Sequence, residues 1–321
     1  MTMQAGGGGA DPRAEKPAEG PQAMAPGVWR LTAPNPSPMT FQGTQTYLVG
    51  PAKGAGPIAV IDPGPASARH RAAILAAVPP GSRIAAILVT HSHVDHSTGV
   101  PALAAATGAP VYAFGPHGSG MSATMQALAA ASPALGGGEG ADRAFAPDRR
   151  LADGEVLALD GVPIAALHTP GHLSNHLSFA LVDRALLFTG DAAMGWSTTL
   201  VSPPEGDMAE QVRTLDRLER AARAMSAPVL LPGHGPAVPD PLRLIAEHRA
   251  HRAARRASIL AALADGPADA ASLARRLYTD TPPALMGAAA RNVLATLLQL
   301  MEEGAAEPAG PLAADVAFRA V

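Results

Sequence analysis

The chain has 321 residues, 47% hydrophobic and 16% charged, with a formal net charge of −3 and no cysteine. That length and apolar content are enough for one large core and a smaller unit, and they exclude a disordered polyelectrolyte. The missing cysteine excludes disulfides and any thiolate metal site, which fits a reducing compartment.

In chain order, residues 1–26 are rich in Gly, Ala and Pro and predict a disordered tail. They lack a basic stretch followed by an apolar core, so no signal peptide is expected. No run of 18 apolar residues occurs in the chain, so no membrane span is expected either, and the expected location is cytoplasmic. Strands are expected at 28–31, 46–49, 58–61, 84–89 and 111–114, alternating with helices at 66–77 and near 98–106. A flexible insertion at 134–141 carries Gly136-Gly-Gly-Glu-Gly140. A second series of strands follows near 155–159, 164–168, 176–182, 185–188 and 229–231. A helix at 207–225 precedes the last of them, with Leu215, Leu218, Ala222 and Met225 forming an apolar stripe.

The strand at 84–89 runs into His91-Ser-His93-Val-Asp95-His96, three imidazoles and a carboxylate within six residues. Neutral imidazole nitrogens and carboxylate oxygens are the donors that zinc and similar metals accept. The alternation of His91, His93 and Asp95 suits extended or loop backbone, and so dense a set suggests two metals. Three more strand ends lead into glycine turns with one metal-capable side chain each: Thr169-Pro-Gly-His172, Thr189-Gly-Asp191 and Pro232-Gly-His234-Gly235. Glycine permits the backbone angles that aim such a residue inward. Of the other histidines, His70, His117, His168, His248 and His251 lie outside these turns and read as structural.

Taken in order, T-H-x-H-x-D-H, T-P-G-H, T-G-D and P-G-H-G resemble the metallo-β-lactamase fold superfamily, most of all its glyoxalase-II-like branch. The resemblance implies an α/β fold, a four-layer αβ/βα sandwich with a dinuclear site at one edge of two packed sheets. It assigns His91, His93 and His172 to the first metal, Asp95, His96 and His234 to the second, and Asp191 to both. Asp62, after the strand at 58–61, and His176 match positions that support the ligands from behind. The usual D-H-x-G-G is Asp95-His96-Ser-Thr-Gly99 here, a departure that touches the next helix and no ligand. The implied cofactors are two divalent metal ions, zinc first, with Mn2+ or Fe2+ also compatible with such donors.

After His234 the chain changes character. Helices are expected at 242–264, 270–277 and 283–303, and Gly304, Gly310 and the segment 316–321 predict a β-wing. This order resembles the winged-helix extension of the β-lactamase-like protein 2 type, a branch that includes single-strand-specific endoribonucleases. The expected division is therefore a tail at 1–26, a catalytic domain at 27–238 and a helical winged-helix-like domain at 239–321. Met194 and the Trp196-Ser-Thr-Thr199 segment are expected to line the substrate cleft.

These features imply a hydrolase in which a metal-bridging hydroxide attacks the substrate and Asp95 both ligates and orients it. The first expectation is a small-molecule ester or thioester. A standard glyoxalase II is disfavoured, because no basic pair for glutathione is recognisable. An endoribonuclease is the alternative, with Arg243, Arg249, Arg252, Arg255 and Arg256 tracking RNA phosphates. Against it stand the net charge of −3, the 3% aromatic content and the simpler reading of those arginines as a solvated helix face. A mononuclear iron sulfur dioxygenase is a further alternative. No membrane partner is expected, and a homodimer is left open.

Overall fold

The computed structural model describes residues 20–135 and 140–321. Residues 1–19 of the expected tail, and Gly136–Glu139 of the expected insertion, lie outside the described residues. From Gln22 onward the tail is a strand, a correction to the expected boundary at residue 26. β1 (Gln22–Ala25) pairs antiparallel with β2 (Val28–Thr32), and Met24 and Ala25 pack on the core.

The first sheet continues through β3 (Gln45–Val49), β4 (Pro57–Ile61), β5 (Arg83–Leu88), β6 (Val111–Ala113) and β7 (Arg149–Arg150), side by side in chain order. The second sheet holds β8 (Val156–Leu159), β9 (Val162–His168), β10 (Leu177–Leu181), β11 (Leu186–Gly190) and β12 (Val229–Pro232), in the order β12-β11-β10-β9-β8. Val49, Ile61 and Leu88 of the first sheet meet Ile164, Phe179 and Phe188 of the second in one dry layer. Tyr47 Oη, from the first sheet, donates to Pro232 O of the second at 2.7 Å. Burying this aromatic body while satisfying its hydroxyl ties the sheets together near the edge where the strands end.

Helices cover both outer faces. Ile74 of α1 (Ala68–Ala76) and Leu103 of α3 (Val100–Thr107) pack on the first sheet. Leu215, Leu218 and Ala222 of α5 (Met208–Arg223) pack on the second, with Met225 beside them. The result is the expected four-layer sandwich. The pairs β4–β5 and β11–β12 are parallel. Their carboxyl ends fall on a single edge of the sandwich, where irregular backbone can present side chains without breaking a ladder.

Two helices were not expected. α2 (Val94–Ser97) is one turn long, and α4 (Ala123–Ala131) starts at a Ser122 cap whose hydroxyl accepts from Met125 N. Met125 and Leu128 of α4 are buried among C-terminal residues, so this stretch of the catalytic half supports the smaller unit.

That unit contains α6 (Pro241–Leu263), α7 (Ala270–Leu277), α8 (Met286–Glu302) and a hairpin of β13 (Ala306–Pro308) with β14 (Phe318–Ala320). α6 serves both cores: Leu244 and Ile245 pack on the second sheet's outer face, whereas Ile259, Ala262 and Leu263 pack with α7 and α8. The segment Pro283–Glu302 is long and apolar enough, by length and composition, to cross a membrane. In the fold its Val293, Leu294, Leu297 and Leu298 are buried against α6, α7 and the hairpin.

Candidate metal centre

Every motif singled out in the sequence arrives at the carboxyl edge of the two sheets. Asp62 follows β4, His91 and His93 follow β5, His172 lies in the turn after β9, Asp191 follows β11 and His234 follows β12. Asp95 differs from the expected extended or loop backbone, because it sits with His96 on the single turn of α2. The alternation rule holds through His93, which is extended with ψ 146° and forms the helix N-cap. The helical turn then sends Asp95 and His96 back toward the edge.

Three donor groups result: His91 with His93 and His172; His91 with His96 and Asp191; and Asp95 with His96 and His234. Within them His91 Nε2 and His172 Nε2 each lie 2.9 Å from His93 Nδ1. His96 Nε2 is 3.4 Å from Asp95 Oδ2 and 3.5 Å from Asp191 Oδ1, and His234 Nε2 is 3.3 Å from both Asp95 Oδ2 and Asp191 Oδ2. Ligands bound at about 2.0–2.1 Å around a tetrahedral ion stand roughly 3.3 Å apart, so these separations suit a metal.

The outer hydrogen bonds decide which nitrogen faces inward. Thr90 Oγ1 donates its one proton to Asp62 Oδ2 at 2.7 Å and so accepts from His91 Nδ1 at 2.9 Å. His96 Nδ1 donates to Asp62 Oδ2 at 2.8 Å, and His172 Nδ1 donates to Leu200 O at 2.8 Å. His234 Nδ1 is turned toward Gly43 O at 3.4 Å. With protons held on the outer nitrogens, the Nε2 lone pairs of His91, His96 and His172 converge on shared space. Asp191 Oδ1 is buried there with no hydrogen-bond partner. A buried acceptor left unpaired is costly, and a cation resolves it. The donor set fits a metal pair.

The electrostatics agree. Burial alone would lower His96, yet the Asp95, Asp191 and Asp62 carboxylates outweigh it and raise it to about 10. His234 is raised against its burial by Asp191 and Asp95. Burial would raise Asp191, but His234 and His96 hold it well below the usual carboxylate range. Burial, with its imidazole neighbours, pushes His91 well below the ordinary value, and burial pushes His93 down to about 3. Burial lowers His172 as well, so His91, His93 and His172 form a neutral trio, whereas the carboxylates of the other half draw a proton onto His96 that a bound cation would displace from Nε2.

Asp62 and His176 stand behind the donors. Asp62 accepts from Thr90 N, Thr90 Oγ1 and His96 Nδ1, at 2.7, 2.7 and 2.8 Å. His176 Nε2 accepts the Asp191 backbone N–H at 3.1 Å, and its Nδ1 meets Thr169 Oγ1 at 2.9 Å. Both its nitrogens are therefore committed outside the donor groups. Glycine is required close by: a Cβ on Gly233 would collide with Asp191 Oδ1 and stand 2.8 Å from His96 Cε1. At Gly190, with φ of 47°, a Cβ would lie 2.6 Å from His176 Nε2.

Three supports are invisible in the sequence. Thr44 Oγ1 donates to Asp95 Oδ2 at 2.8 Å, from a loop before β3. Ser92 Oγ, between His91 and His93, meets His117 Nδ1 at 3.0 Å, and His117 Nε2 lies 3.3 Å from Glu205. Thr199 Oγ1 donates to Asp191 O at 2.7 Å. Lone Thr and Ser residues carry no spacing signal, so only the fold reveals them.

A cavity of about 640 Å³ opens beside His172 and Asp191. Met194 and Trp196 line it, and Trp196 stacks on Phe41 with ring centroids 5.1 Å apart. The opposite wall comes from the C-terminal unit: Arg252 and Arg255 of α6, then Leu277, Tyr278 and Asn292. Of the other arginines on α6, Arg243 pairs with Glu247, Arg249 with Asp216 and Glu219, and Arg256 with Glu303. The expected basic run is therefore divided, with Arg243, Arg249 and Arg256 paired to carboxylates among the described residues.

Comparison with known proteins matches this architecture. The profile of the metallo-beta-lactamase superfamily matches residues 39–234, and that of the beta-lactamase associated winged helix domain matches 270–310. A Beta-lactamase-like protein 2 homolog of Drosophila melanogaster is 30% identical over 309 residues, covering 88% of this chain and 92% of its own. An atrochrysone carboxyl ACP thioesterase of Aspergillus chevalieri is 31% identical over 245 residues, covering 75% of this chain and 67% of its own. Among solved structures, a metallo-beta-lactamase family protein of Thermus thermophilus superposes with a TM-score of 0.70 at 27% identity, over 93% of this chain and 100% of that one. With motifs, layers and extension all in agreement, the chain belongs to the metallo-beta-lactamase superfamily of metal-dependent hydrolases and carries its associated winged-helix domain.

Proposed function

We propose that this chain hydrolyses a small-molecule ester or thioester with two divalent metal ions, zinc in the first instance. His91, His93 and His172 would hold one ion and Asp95, His96 and His234 the other, with Asp191 within reach of both groups. The observation that carries the reading is the set of outer hydrogen bonds that turns the Nε2 lone pairs of His91, His96 and His172 toward the unpartnered Asp191 Oδ1. When bound, such a metal pair supplies Lewis acidity and makes water a nucleophile near neutral pH.

The chain's own residues do the rest. Thr44 fixes Asp95, whose side chain stays 20% exposed while the other donors are nearly sealed. Asp95 takes the proton of the attacking water and returns it to the departing oxygen or sulfur as the acyl bond breaks. His176 and Thr199 grip the backbone of Asp191, so its carboxylate needs no reorganisation during turnover. Met194, Trp196 and Leu200 give the cavity an apolar side suited to an acyl chain and to excluding water.

The relative named as a thioesterase supports the substrate class. The neutralisation of Arg243, Arg249 and Arg256 counts against a phosphate-tracking surface and thus against the endoribonuclease reading. A mononuclear iron dioxygenase would leave the Asp95–His96–His234 group without a use. The test is hydrolysis of a panel of aryl esters and thioesters by zinc-loaded protein, with unstructured RNA in parallel and Asp95→Ala as control. Acyl hydrolysis that falls at least about tenfold in the variant, with the ion held by His91, His93 and His172 retained, is expected. Asp95-dependent RNA cleavage without acyl hydrolysis would overturn the reading.

A further inference from the structure

We propose that the wall formed by Arg252 and Arg255 is an anion subsite, and that the substrate carries a carboxylate or phosphate away from its scissile bond. The inference rests on the hydrolase reading above and goes further, to the charge of the substrate. His248, Arg252 and Arg255 fall at i, i+4 and i+7 on α6, so they share the helix face turned toward the catalytic unit. The α6 arginines differ in their partners. Arg243, Arg249 and Arg256 each have a carboxylate, whereas Arg252 has none among the described residues.

Arg252 Nη2 donates to Thr199 O, and among the described residues the rest of its guanidinium has no bonded partner and is open to the cavity it lines. Burial brings its pKa down to about 10, so it remains a cation. Holding a desolvated cation without a counter-ion is unfavourable unless a ligand supplies one. Arg255 is fixed beside it, donating to Leu277 O at 3.2 Å and lying 4.3 Å over the Tyr278 ring. A planar fork held by stacking is pre-organised for carboxylate or phosphate oxygens. Among the described residues Asp280 is the one carboxylate on this wall, against the two guanidinium groups of Arg252 and Arg255. The same Thr199 that accepts from Arg252 through its carbonyl donates from Oγ1 to Asp191 O at 2.7 Å, so the subsite and the metal centre open on one cavity.

Three thioesters separate the sources of the anion. S-butanoyl-N-acetylcysteamine is uncharged, S-glutaryl-N-acetylcysteamine carries a carboxylate on the acyl side, and butanoyl-coenzyme A carries phosphates on the leaving side. The metal-loaded full chain should prefer one charged thioester over the uncharged one by about tenfold or more in kcat/KM, the worth of a charge-assisted hydrogen bond. Arg255→Gln should remove most of that preference, mainly through KM, and Arg255→Lys should restore part of it. Arg243→Gln, paired with Glu247 outside the cavity, should keep the preference. No preference, or an equal loss on charged and uncharged thioesters in Arg255→Gln, overturns the subsite. If none of the three is hydrolysed, it is the substrate reading that fails. Calorimetric titration with free glutarate and free coenzyme A then decides the subsite: binding weakened in Arg255→Gln sustains it, and equal or absent binding overturns it.

Discussion

Replacing Asp62 by Asn changes one oxygen to an amide and tests how the second donor group is held. Asp62 has φ of 51°, and Asn tolerates that left-handed backbone as Asp does, so the substitution adds no strain. If the Asn oxygen keeps the Thr90 N–H, its NH2 faces His96 Nδ1 across the 2.8 Å contact. Two donors then oppose each other. His96 can relieve this by moving its proton to Nε2, the nitrogen that faces Asp95 and Asp191 at 3.4 and 3.5 Å. That tautomer has no inward lone pair. The expected cost is a loss of about 10–100-fold in metal affinity, the range for such supporting partners, or about 1.4–2.8 kcal/mol. The metal-free protein should also lose about 1–3 kcal/mol, because a buried donor is left unpaired. Competition with a chromogenic chelator reads the first quantity, and urea unfolding of the metal-free chain reads the second. Wild-type metal affinity in a folded Asp62→Asn protein would refute the argument that Asp62 sets the tautomer of His96.

Two further outcomes follow from the same geometry. Gly233→Ala places a methyl against Asp191 Oδ1 and His96 Cε1, and should destabilise the chain by about 1–3 kcal/mol and weaken metal binding; chelator competition and urea unfolding should both register it. His70 is buried, its Nε2 bonded to Thr46 Oγ1 at 2.8 Å, and burial lowers its pKa from 6.5 to about 4. Between those values the unfolded chain binds a proton that the folded chain refuses, so stability is full above pH 6.5 and is lost as pH falls toward 4. Over that window His70 accounts for about 3 kcal/mol, and urea titrations of His70→Gln should show that much less acid sensitivity than wild type. Parallel curves would contradict the assignment.

How far the sequence could be read depended on the kind of signal. His91, His93, His172, Asp191 and His234 were legible because each ends an apolar strand and sits in a turn, a local pattern that survives without tertiary information. The one-turn helix holding Asp95 and His96 was not, since four residues carry no period. β1 hid inside a Gly- and Ala-rich tail because its pairing with β2 is what makes it a strand. The helix at Ala123–Ala131 hid in an alanine run whose burial comes from the C-terminal unit. The arginines of α6 showed the limit most clearly. In sequence they form one basic run, and only the positions of Glu219, Glu303 and Thr199 separate the neutralised members from those facing the cavity.

The central claim is that this fold builds a two-metal centre, and metal content per chain tests it most directly. Elemental analysis of zinc-reconstituted protein should give two equivalents for the wild type. His234→Ala should lose about one equivalent and keep the ion held by His91, His93 and His172. One equivalent or none in folded wild-type protein would contradict the account.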